Sequence, residues 1–354
     1  RVYKLINDLY FDHDLREEDL VYLLDNMESE DRDYLLGLAY NTRNSHYGKT
    51  VYMRGLIEFT NYCKRECKYC GINTFNKDVK RYRMTKKEIL DTCKLGYRLG
   101  FRTFVFQGGE DPYFTDKRIC DIVKAVKKLF PDVAITLSLG ERPIESYRAI
   151  KLAGVDRYLL RHETSNPSLY RWLHPFSSLD SRVGCLCSLK YTGFQTGAGF
   201  MVGLPWYTNK DYARDLRFLK DLKPEMIGIG PFIPHSSTSM KDYSPGTLDQ
   251  TVLMLALIRL LLPRVLLPAT TALASIGQMG RKKGLDAGAN VIMPNLTPIK
   301  YRGDYSLYNN KKSTGSESAE SLRLIRQEIE VYRLEIKSRE NEATIVSGKE
   351  LGVK

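Results

Sequence analysis

The sequence predicts an α/β protein: a complete (β/α)8 TIM barrel with an N-terminal helical cap and a C-terminal helix. Short β-rich runs alternate with longer helical patterns from residue 51 onward, which is typical of parallel βα units. Eight such units can be counted, over the roughly 250 residues that this barrel usually occupies. Two open-sheet domains are the alternative, but no Pro-, Gly- or Ser-rich linker divides the array, so one barrel is favoured.

Three domains follow from this pattern. Residues 1–50 read as helical and form the cap, residues 51–310 form the barrel, and residues 311–354 form a helical extension packed on it. Apolar residues repeat at helical spacing in the extension, at Leu322, Ile325, Ile329, Tyr332 and Ile336. This stripe fits a helix that docks on its own barrel, although it would also suit a dimer contact.

The elements of the barrel can be placed along the chain. The predicted strands cover residues 51–60, 101–107, 133–139, 157–163, 196–202, 226–230, 265–270 and 289–294. The predicted helices cover residues 86–99, 116–129, 144–153, 179–191, 209–222, 248–262 and about 273–287.

Alternation along the strands predicts an interior unlike a packed barrel core. Small, polar and charged residues face inward, where branched apolar side chains usually fill the space. The inward face includes Thr136 on the third strand and Arg157 and Arg161 on the fourth. A buried guanidinium is costly unless it is paired, so the interior suggests a cavity for an anionic guest. Pairing of these arginines with Glu58 and Glu163 as a scaffold is the alternative.

Charge and apolar runs limit the class of protein. The chain has 54 Lys and Arg against 42 Asp and Glu, a net charge of +12, but the basic residues are dispersed, which disfavours nucleic-acid binding. The longest apolar run, residues 252–262, is short and contains Arg259, so no membrane span is predicted. An odd seven cysteines without a signal-like segment favours a reducing, cytoplasmic setting.

Three cysteines lie within eight residues, at Cys63, Cys67 and Cys70, and are predicted to bind a metal centre. Four thiolates complete an ordinary iron-sulfur cluster, so three leave one iron free for another ligand. Zinc is the weaker interpretation, because no Cys or His follows within the next twenty residues. The other four cysteines lie in helical contexts and are interpreted as structural.

A glycine-rich loop follows the second strand, at the end of the barrel where such enzymes keep their sites. Gly108 and Gly109 allow close backbone approach, and the carboxylate of Glu110 can bind an ammonium group. Alone, the pattern is an ordinary loop.

The C-x3-C-x2-C spacing, with Tyr69 before the third cysteine, resembles the signature of radical S-adenosylmethionine (SAM) enzymes. The resemblance implies a 4Fe-4S cluster on Cys63, Cys67 and Cys70, whose free iron binds the amino and carboxylate groups of SAM. The Gly-Gly-Glu loop is similar to the element that contacts the SAM amino group in that superfamily.

Five further segments narrow the resemblance to the HydE family of FeFe-hydrogenase maturases, in the group that includes biotin synthase and the methylornithine synthase PylB. These segments are residues 54–61, 137–142, 157–164, 173–175 and 228–235. The family implies assembly of the hydrogenase diiron subcluster, together with HydG and HydF as partners and a small anionic or organometallic substrate.

Site residues carried over from this resemblance fall into two sets. The SAM contacts would be Tyr69, Gly108, Gly109, Glu110, Ser138, Glu163 and Arg182. The residues facing the substrate would be Thr136, Arg157, Arg161, Thr270, Tyr305 and Tyr308. From the sequence alone, Arg182 is as compatible with an ordinary surface position on a helix.

Two departures from the family pattern are visible. Residues 203–208 read GLPWYT in place of the usual GLPGQT. In addition, residues 300–325 contain no cysteine, although some relatives carry a second iron-sulfur site in that region, so no second iron-sulfur site is predicted here. A PylB-like mutase, a biotin-synthase-like sulfur inserter and a non-catalytic iron-sulfur carrier or scaffold are the alternative functions.

Overall fold

Helices and parallel strands alternate along most of the chain. The computed structural model describes residues 1–277, 279–312 and 318–338. The helices are α1 Val2–Asp12, α2 Glu17–Asn26, α3 Ser29–Tyr47, α4 Lys86–Arg98, α5 Asp116–Leu129, α6 Ile144–Ala153, α7 Pro167–Leu173, α8 Leu179–Tyr191, α9 Asn209–Leu222, α10 Leu248–Leu261, α11 Thr271–Ile276, α12 Gly280–Asp286, α13 Ile299–Arg302 and α14 Leu322–Val331. The strands are β1 Thr50–Met53, β2 Gly55–Thr60, β3 Thr103–Gly108, β4 Ala134–Ser138, β5 Arg157–Leu159, β6 Gln195–Ala198, β7 Met201–Val202, β8 Met226–Ile227, β9 Gly230–Pro231, β10 Val291–Ile292 and β11 Glu335–Lys337.

A six-stranded parallel sheet positions the site. Its strand order is β2-β3-β4-β5-β6-β8, so strands next to each other in the sheet follow one another along the chain. Val105 pairs with Thr136 and Gln107 with Ser138 between β3 and β4, while Thr136 pairs with Arg157 between β4 and β5. The carboxyl ends of these strands therefore meet at one edge of the sheet.

Outside the six-stranded sheet, the strands are shorter than the sequence predicts. β10, β1 and β11 form a separate three-stranded sheet, and isolated bridges join Met226 to Leu266, Pro268 to Val291 and Leu56 to Asn295. The predicted strand 265–270 is therefore not a regular strand. Pro268 within it has no N–H to donate to a ladder, which accounts for the interruption.

Helix α5 illustrates why the predicted helices form. The Thr115 side chain accepts a hydrogen bond from the Arg118 N–H (3.4 Å) and caps the helix. Its apolar stripe, Ile119, Ile122, Val123 and Val126, is buried in the main core. The predicted bounds of α5, α6, α8 and α9 are confirmed.

Several predicted bounds are wrong in detail. The helix predicted over 273–287 is two helices, α11 and α12, and the first predicted strand is broken at Arg54 into β1 and β2. Helix α7 was missed, although its start carries a clear signal. Asn166 caps it by accepting from the Leu169 N–H (3.1 Å), and Pro167 occupies its first turn.

Residues 1–50 are largely helical, as predicted, and helix α3 reaches the amino ends of two strands. The Arg43 guanidinium on α3 donates to the carbonyl of Thr50, the first residue of β1, and to that of Ala289, two residues before β10. The ring of His13 contacts the Leu260 carbonyl of α10 (2.9 Å).

The C-terminal helix α14 buries Leu322, Ile325 and Ile329 in the main core, so the predicted stripe faces the rest of the protein. Ile336 is not helical as predicted: it lies in β11, which pairs in parallel with β1. Parts of the predicted extension, residues 313–317 and 339–354, lie outside the described residues. Within the described ranges, no helix is both long and apolar enough to cross a bilayer.

Candidate active site at the carboxyl ends of the strands

The three cysteines lie on the loop that follows β2. All three are free thiols and half-buried. Hydrogen bonds shape the loop: the Cys70 N–H donates to the Cys67 carbonyl (3.2 Å), and the Asn73 side chain donates to the Cys70 carbonyl (2.8 Å). The loop is thus folded back on itself, with its thiols close enough to influence one another's ionisation.

Neighbouring elements hold this loop from two sides. The Lys68 N–H donates to the Leu173 carbonyl at the end of α7 (3.0 Å), and the Gly71 N–H donates to the Leu307 carbonyl (2.9 Å). The Tyr69 hydroxyl is 2.9 Å from Nε2 of the buried His174. The predicted cofactor residue Tyr69 therefore has a fixed place in the loop.

The Gly-Gly-Glu loop packs directly on the cysteine loop. A Cβ placed on Gly109 would lie 2.2 Å from the Tyr62 carbonyl oxygen and 2.6 Å from Cys63 Cβ, so only glycine allows this approach. The Lys64 N–H also donates to the Glu110 carbonyl (3.0 Å). Gly108 pairs with Thr60 between β3 and β2. The structure thus brings the predicted cluster and SAM loops together.

Glu110 and Glu141 anchor a buried ionic network beside the thiols. The Arg65 Nε donates to Glu110 Oε2 (2.6 Å), and the Arg182 Nε donates to Glu141 Oε1 (2.7 Å). The Glu141 N–H donates to Glu110 Oε1 (3.0 Å), and Gly140, at φ 74°, leaves room for the Glu110 carboxylate. Two carboxylates and two guanidinium groups therefore share one small volume.

The arginines of this network remain charged despite burial. Burial alone would lower the pKa of Arg182, but Tyr170 and Glu141 outweigh it and raise that pKa. Burial would also lower the pKa of Arg65, but the nearby Glu110 carboxylate outweighs burial and raises that pKa. Glu141 is a carboxylate for the same reason, since its arginine partners overcome burial and lower its pKa. The ammonium group of an amino-acid ligand would therefore meet negatively charged carboxylates, and its carboxylate would meet positively charged guanidinium groups.

Glu163 follows β5 in a left-handed backbone conformation, with φ 66°. Its Oε2 lies 3.1 Å from Arg161 Nη2, so the scaffold pairing considered from the sequence is present for this residue. The Arg182 Nη1 donates to the Arg161 carbonyl (2.6 Å) and ties the network to the same strand end. Ser138, the last residue of β4, is half-buried.

Some predicted cavity atoms are buried without a hydrogen-bond partner among the described residues. They include Thr136 Oγ1 and Arg161 Nε. Buried polar atoms are nearly always satisfied, so these atoms fit a site that a polar ligand completes. The Arg157 Nε donates to Gln195 Oε1 (2.7 Å), at the start of β6, so its partner is not Glu58 as the scaffold alternative required.

Glu58 is fully buried and pairs with Lys311 instead. Lys311 also donates to the Tyr305 carbonyl (3.2 Å), and the Tyr305 hydroxyl accepts from Gln107 Nε2 (3.3 Å). Tyr305 therefore lies beside β2 and β3, and its role as a substrate residue stays a prediction.

Two further predicted substrate residues lie on other segments of the chain. Thr270 caps α11 by accepting from the Leu273 N–H (3.4 Å), and its hydroxyl faces Gly230. Tyr308 is half-buried and follows Tyr305 by three residues.

Burial determines the ionisation of the three cysteines when no metal is bound. It raises the pKa of Cys63, Cys67 and Cys70, and that of Cys67 reaches about 12, so these side chains are neutral thiols at neutral pH. Bound iron would stabilise all three as thiolates. Within the described ranges, no group of three His, Cys, Asp or Glu side chains is placed to hold a single metal ion.

Sequence reasoning missed Arg65 and Glu141 as site residues. Arg65 lies inside the cysteine loop, and Glu141 comes three residues after Ser138, at the mouth of β4. The signal that would have found them is position at a strand's carboxyl end, where charged side chains of a barrel usually serve the site.

Comparison with known proteins agrees with this geometry. A model of the radical SAM superfamily matches residues 57–219. The [FeFe] hydrogenase maturase subunit HydE of Thermotoga maritima is 50% identical over 277 residues, covering 78% of this chain and 79% of that protein. A 3-methylornithine synthase of Methanosarcina acetivorans is 28% identical over 280 residues, or 78% of this chain and 79% of the enzyme.

Solved structures show the same fold. Methylornithine synthase (PylB) superposes with a TM-score of 0.84 at 24% identity, over 96% of this chain and 99% of PylB. The maturase HydG superposes with a TM-score of 0.83 at 17% identity, over 97% of this chain and 77% of HydG.

The fold and the cysteine site define a radical SAM enzyme, a class that uses a 4Fe-4S cluster and SAM. Within that class, the chain belongs to the HydE family of [FeFe] hydrogenase maturases.

Proposed function

We propose that this protein cleaves SAM reductively and acts on a small anionic or organometallic substrate during assembly of the hydrogenase diiron subcluster. The observation that carries the proposal is the packing of the cysteine loop on the Gly-Gly-Glu loop, where a Cβ on Gly109 would overlap Tyr62 and Cys63. A 4Fe-4S cluster held by Cys63, Cys67 and Cys70 would supply the one electron needed for reductive cleavage of SAM to methionine and a 5′-deoxyadenosyl radical.

The residues of the chain hold and orient the reactants. Cys63, Cys67 and Cys70 would bind the cluster. Glu110 would accept the SAM ammonium group, and Arg182 would bind the SAM carboxylate in a charge-assisted pair. Arg182 is already held by Glu141 (2.7 Å), so its guanidinium is oriented before the ligand arrives.

The remaining predicted SAM contacts surround these charges. Gly108 and Gly109 would offer backbone groups, since neither has a side chain to block a ligand. The Ser138 hydroxyl would accept or donate a hydrogen bond at the end of β4, and the Glu163 carboxylate would accept one after β5. Tyr69, in the cysteine loop, would lie beside the cluster.

The substrate would lie deeper between the strands. Thr136 and Arg157 are paired across β4 and β5, and both are buried. With Arg161, Thr270, Tyr305 and Tyr308 they would line the substrate cavity. Arg157 and Arg161 would supply the positive charge for an anionic guest.

The architecture proposed for this function is a complete (β/α)8 barrel over residues 51–310. Isolated bridges support closure. Leu266 pairs with Met226 of β8, Pro268 pairs with Val291 of β10, and Asn295 pairs with Leu56 of β2, while β10 itself pairs with β1. Residues 1–50 would be the cap, residues 311–354 a C-terminal extension, and HydG and HydF the partners in maturation.

The first test is anaerobic. The protein is reconstituted with iron and sulfide, and SAM and dithionite are added. We expect 5′-deoxyadenosine or an adenosylated product; an intact cluster that neither binds nor cleaves SAM would overturn the enzymatic proposal. A hydrogenase maturation mixture that lacks only this component then tests the family role, and the absence of rescue on adding it back would reject that role.

A further inference from the structure

The loop that carries the thiols is held together by one guanidinium. Arg81 lies at the end of this loop, just before the chain pairs again with β2. Its Nη1 and Nη2 donate to four backbone carbonyls, those of Asn61, Ile72 (2.7 Å), Asn73 (2.6 Å) and Asn76 (3.0 Å). The first of these residues precedes the three thiols and the other three follow them. One side chain therefore joins both sides of the cysteine loop.

Two of the residues that Arg81 holds also contact the thiol-bearing segment. The Asn73 side chain donates to the carbonyls of Cys70 (2.8 Å) and Cys67 (3.4 Å). Burial raises the pKa of Cys70, and a hydrogen bond from the Ile72 N–H opposes that rise. By binding the carbonyls of Ile72 and Asn73, Arg81 thus fixes groups that contact the cysteines directly.

The positive charge of Arg81 lies next to the thiols. Burial lowers the pKa of Arg81, whereas Cys63, Cys70 and Tyr62, when ionised, would raise it. Among the described residues these are the ionisable groups whose charges act on Arg81, and none of them is a carboxylate. A guanidinium remains protonated in proteins, so a positive charge stays beside the cysteines at neutral pH.

The other arginine of the cysteine loop differs in this respect. Arg65 lies 2.6 Å from Glu110 Oε2 through Nε and 3.5 Å from Glu141 Oε2 through Nη2, so two carboxylates offset its charge. The carbonyls that hold Arg81 are dipoles and supply no negative charge. The charge of Arg81 is therefore the one that a cluster on the three cysteines would experience without compensation from a carboxylate.

We propose that Arg81 raises the reduction potential of the cluster held by Cys63, Cys67 and Cys70. This inference rests on the proposed function, which reduces the cluster once for each SAM cleaved. On reduction one electron enters the cluster and makes its charge more negative by one, while no bond forms or breaks. A fixed positive charge nearby favours the reduced form, because its attraction to the cluster grows with the added electron. Arg81 is thus a positioning residue that acts through the cluster.

The test is a redox titration of the cluster in the absence of SAM, with dithionite as the electron source and electron paramagnetic resonance of the reduced cluster as the readout. Wild type, Arg81→Gln, Arg81→Lys and Lys77→Met are reconstituted anaerobically, and their iron content is measured first. Arg81→Lys keeps the charge and has three donors for the carbonyls. Lys77→Met is the matched control, because it removes one positive charge from the same loop at an exposed position, where solvent ions screen it.

We expect Arg81→Gln to hold its cluster and to lower the midpoint potential. At a fixed ambient potential, the ratio of reduced to oxidised cluster should fall about tenfold, which corresponds to about 59 mV for a one-electron couple. Arg81→Lys should have a potential closer to that of wild type, because its ammonium retains the charge. Lys77→Met should match wild type.

Equal midpoint potentials in Arg81→Gln and wild type would overturn the inference. Equal shifts in Arg81→Gln and Arg81→Lys would assign the effect to the shape of the loop, and equal shifts in Arg81→Gln and Lys77→Met would assign it to net charge; either result also overturns it. Failure of Arg81→Gln to hold four irons would assign Arg81 to retention of the cluster and overturn it as well. A cluster that has the expected potentials but does not cleave SAM is a different result: it rejects the proposed function, while the role of Arg81 stands.

Discussion

Arginines lie at both ends of the strands, but their partners differ. At the amino ends, the buried Arg259 donates to the carbonyls of Gly288, Pro263 and Val265, each at 2.8 Å. At the carboxyl ends, the half-buried Arg65 and Arg182 pair with the carboxylates of Glu110 and Glu141.

The pKa values record this difference. Burial lowers the pKa of Arg259 to about 10, because carbonyl dipoles replace water without supplying a negative charge. The pKa of Arg182 is raised, because Tyr170 and Glu141 outweigh burial. Both arginines are protonated at neutral pH. An arginine bound by backbone carbonyls stabilises the fold, whereas one bound by carboxylates can exchange a partner for an anionic ligand, and the site contains arginines of the second kind.

The largest effect should come from the cysteine loop. Cys70→Ala removes one of three thiolates, and we expect loss of the cluster and no detectable 5′-deoxyadenosine. Iron analysis and product chromatography after anaerobic reconstitution measure both. Cys187→Ala, an exposed cysteine on α8, is the control and should keep its iron. A four-iron cluster that remains active in Cys70→Ala would contradict the assignment of this ligand.

The comparison of the two ends is tested directly by Arg182→Met and Arg259→Met. Loss of a charge-assisted hydrogen bond is worth roughly 1.5–3 kcal/mol, so Arg182→Met should raise the Kd for SAM about 10- to 100-fold. Arg259→Met leaves several buried carbonyls unpaired and should lower the free energy of unfolding by about 3 kcal/mol.

Calorimetric titration of SAM and urea unfolding separate these outcomes. Arg259→Met should bind SAM like wild type as long as it is folded. Equal changes of SAM affinity in both variants would show that the two ends do not differ in function.

Asp111 is expected to make a smaller, pH-dependent contribution to the free energy of unfolding. Burial raises the pKa of this carboxyl, but hydrogen bonds from Arg83 (2.7 Å), Thr60 and the Tyr113 N–H more than offset burial, so the net pKa is lowered. A carboxyl with a lowered folded pKa stabilises the protein fully above its unfolded pKa of about 3.9, and this contribution is lost as pH falls through the folded pKa.

Asp111→Asn should lower the free energy of unfolding by about 2 kcal/mol at pH 7 and by less below pH ~3.9. Urea unfolding at several pH values measures the difference. Asp121→Asn, an exposed carboxylate on α5, is the control. A destabilisation independent of pH would show that the charge of Asp111 is not the cause.

The smallest effect is expected for Glu141→Gln. Its Oε1 and Oε2 receive Arg182 and Arg65, so the amide would hold both arginines less firmly and raise the Kd for SAM about three- to tenfold, or about 1 kcal/mol. Glu145→Gln on α6, which is exposed, should have no effect. Equal SAM affinity in Glu141→Gln and wild type would exclude a positioning role for Glu141.

Much of the helical layer was predictable from sequence, because apolar periodicity and caps are local. Thr115 and the stripe from Ile119 to Val126 define α5 without reference to the rest of the chain. The strand predicted at residues 265–270 is instead two isolated bridges. A regular strand needs a continuous ladder of hydrogen bonds with its neighbours, and Pro268 interrupts that ladder. For the same reason Ile336 was assigned to the helical stripe, whereas it pairs with β1.

By itself the sequence determined the chemistry of the cysteine loop, since the spacing of Cys63, Cys67 and Cys70 limits what three thiols can bind. Only the tertiary structure decided which charges surround it. Arg65, Glu110, Glu141 and Arg182 come from four separate segments, and their pairing depends on the parallel order of the strands that brings those segments to one edge. Long-range ion pairs leave no local pattern, because each partner is chosen by distance in space and by burial.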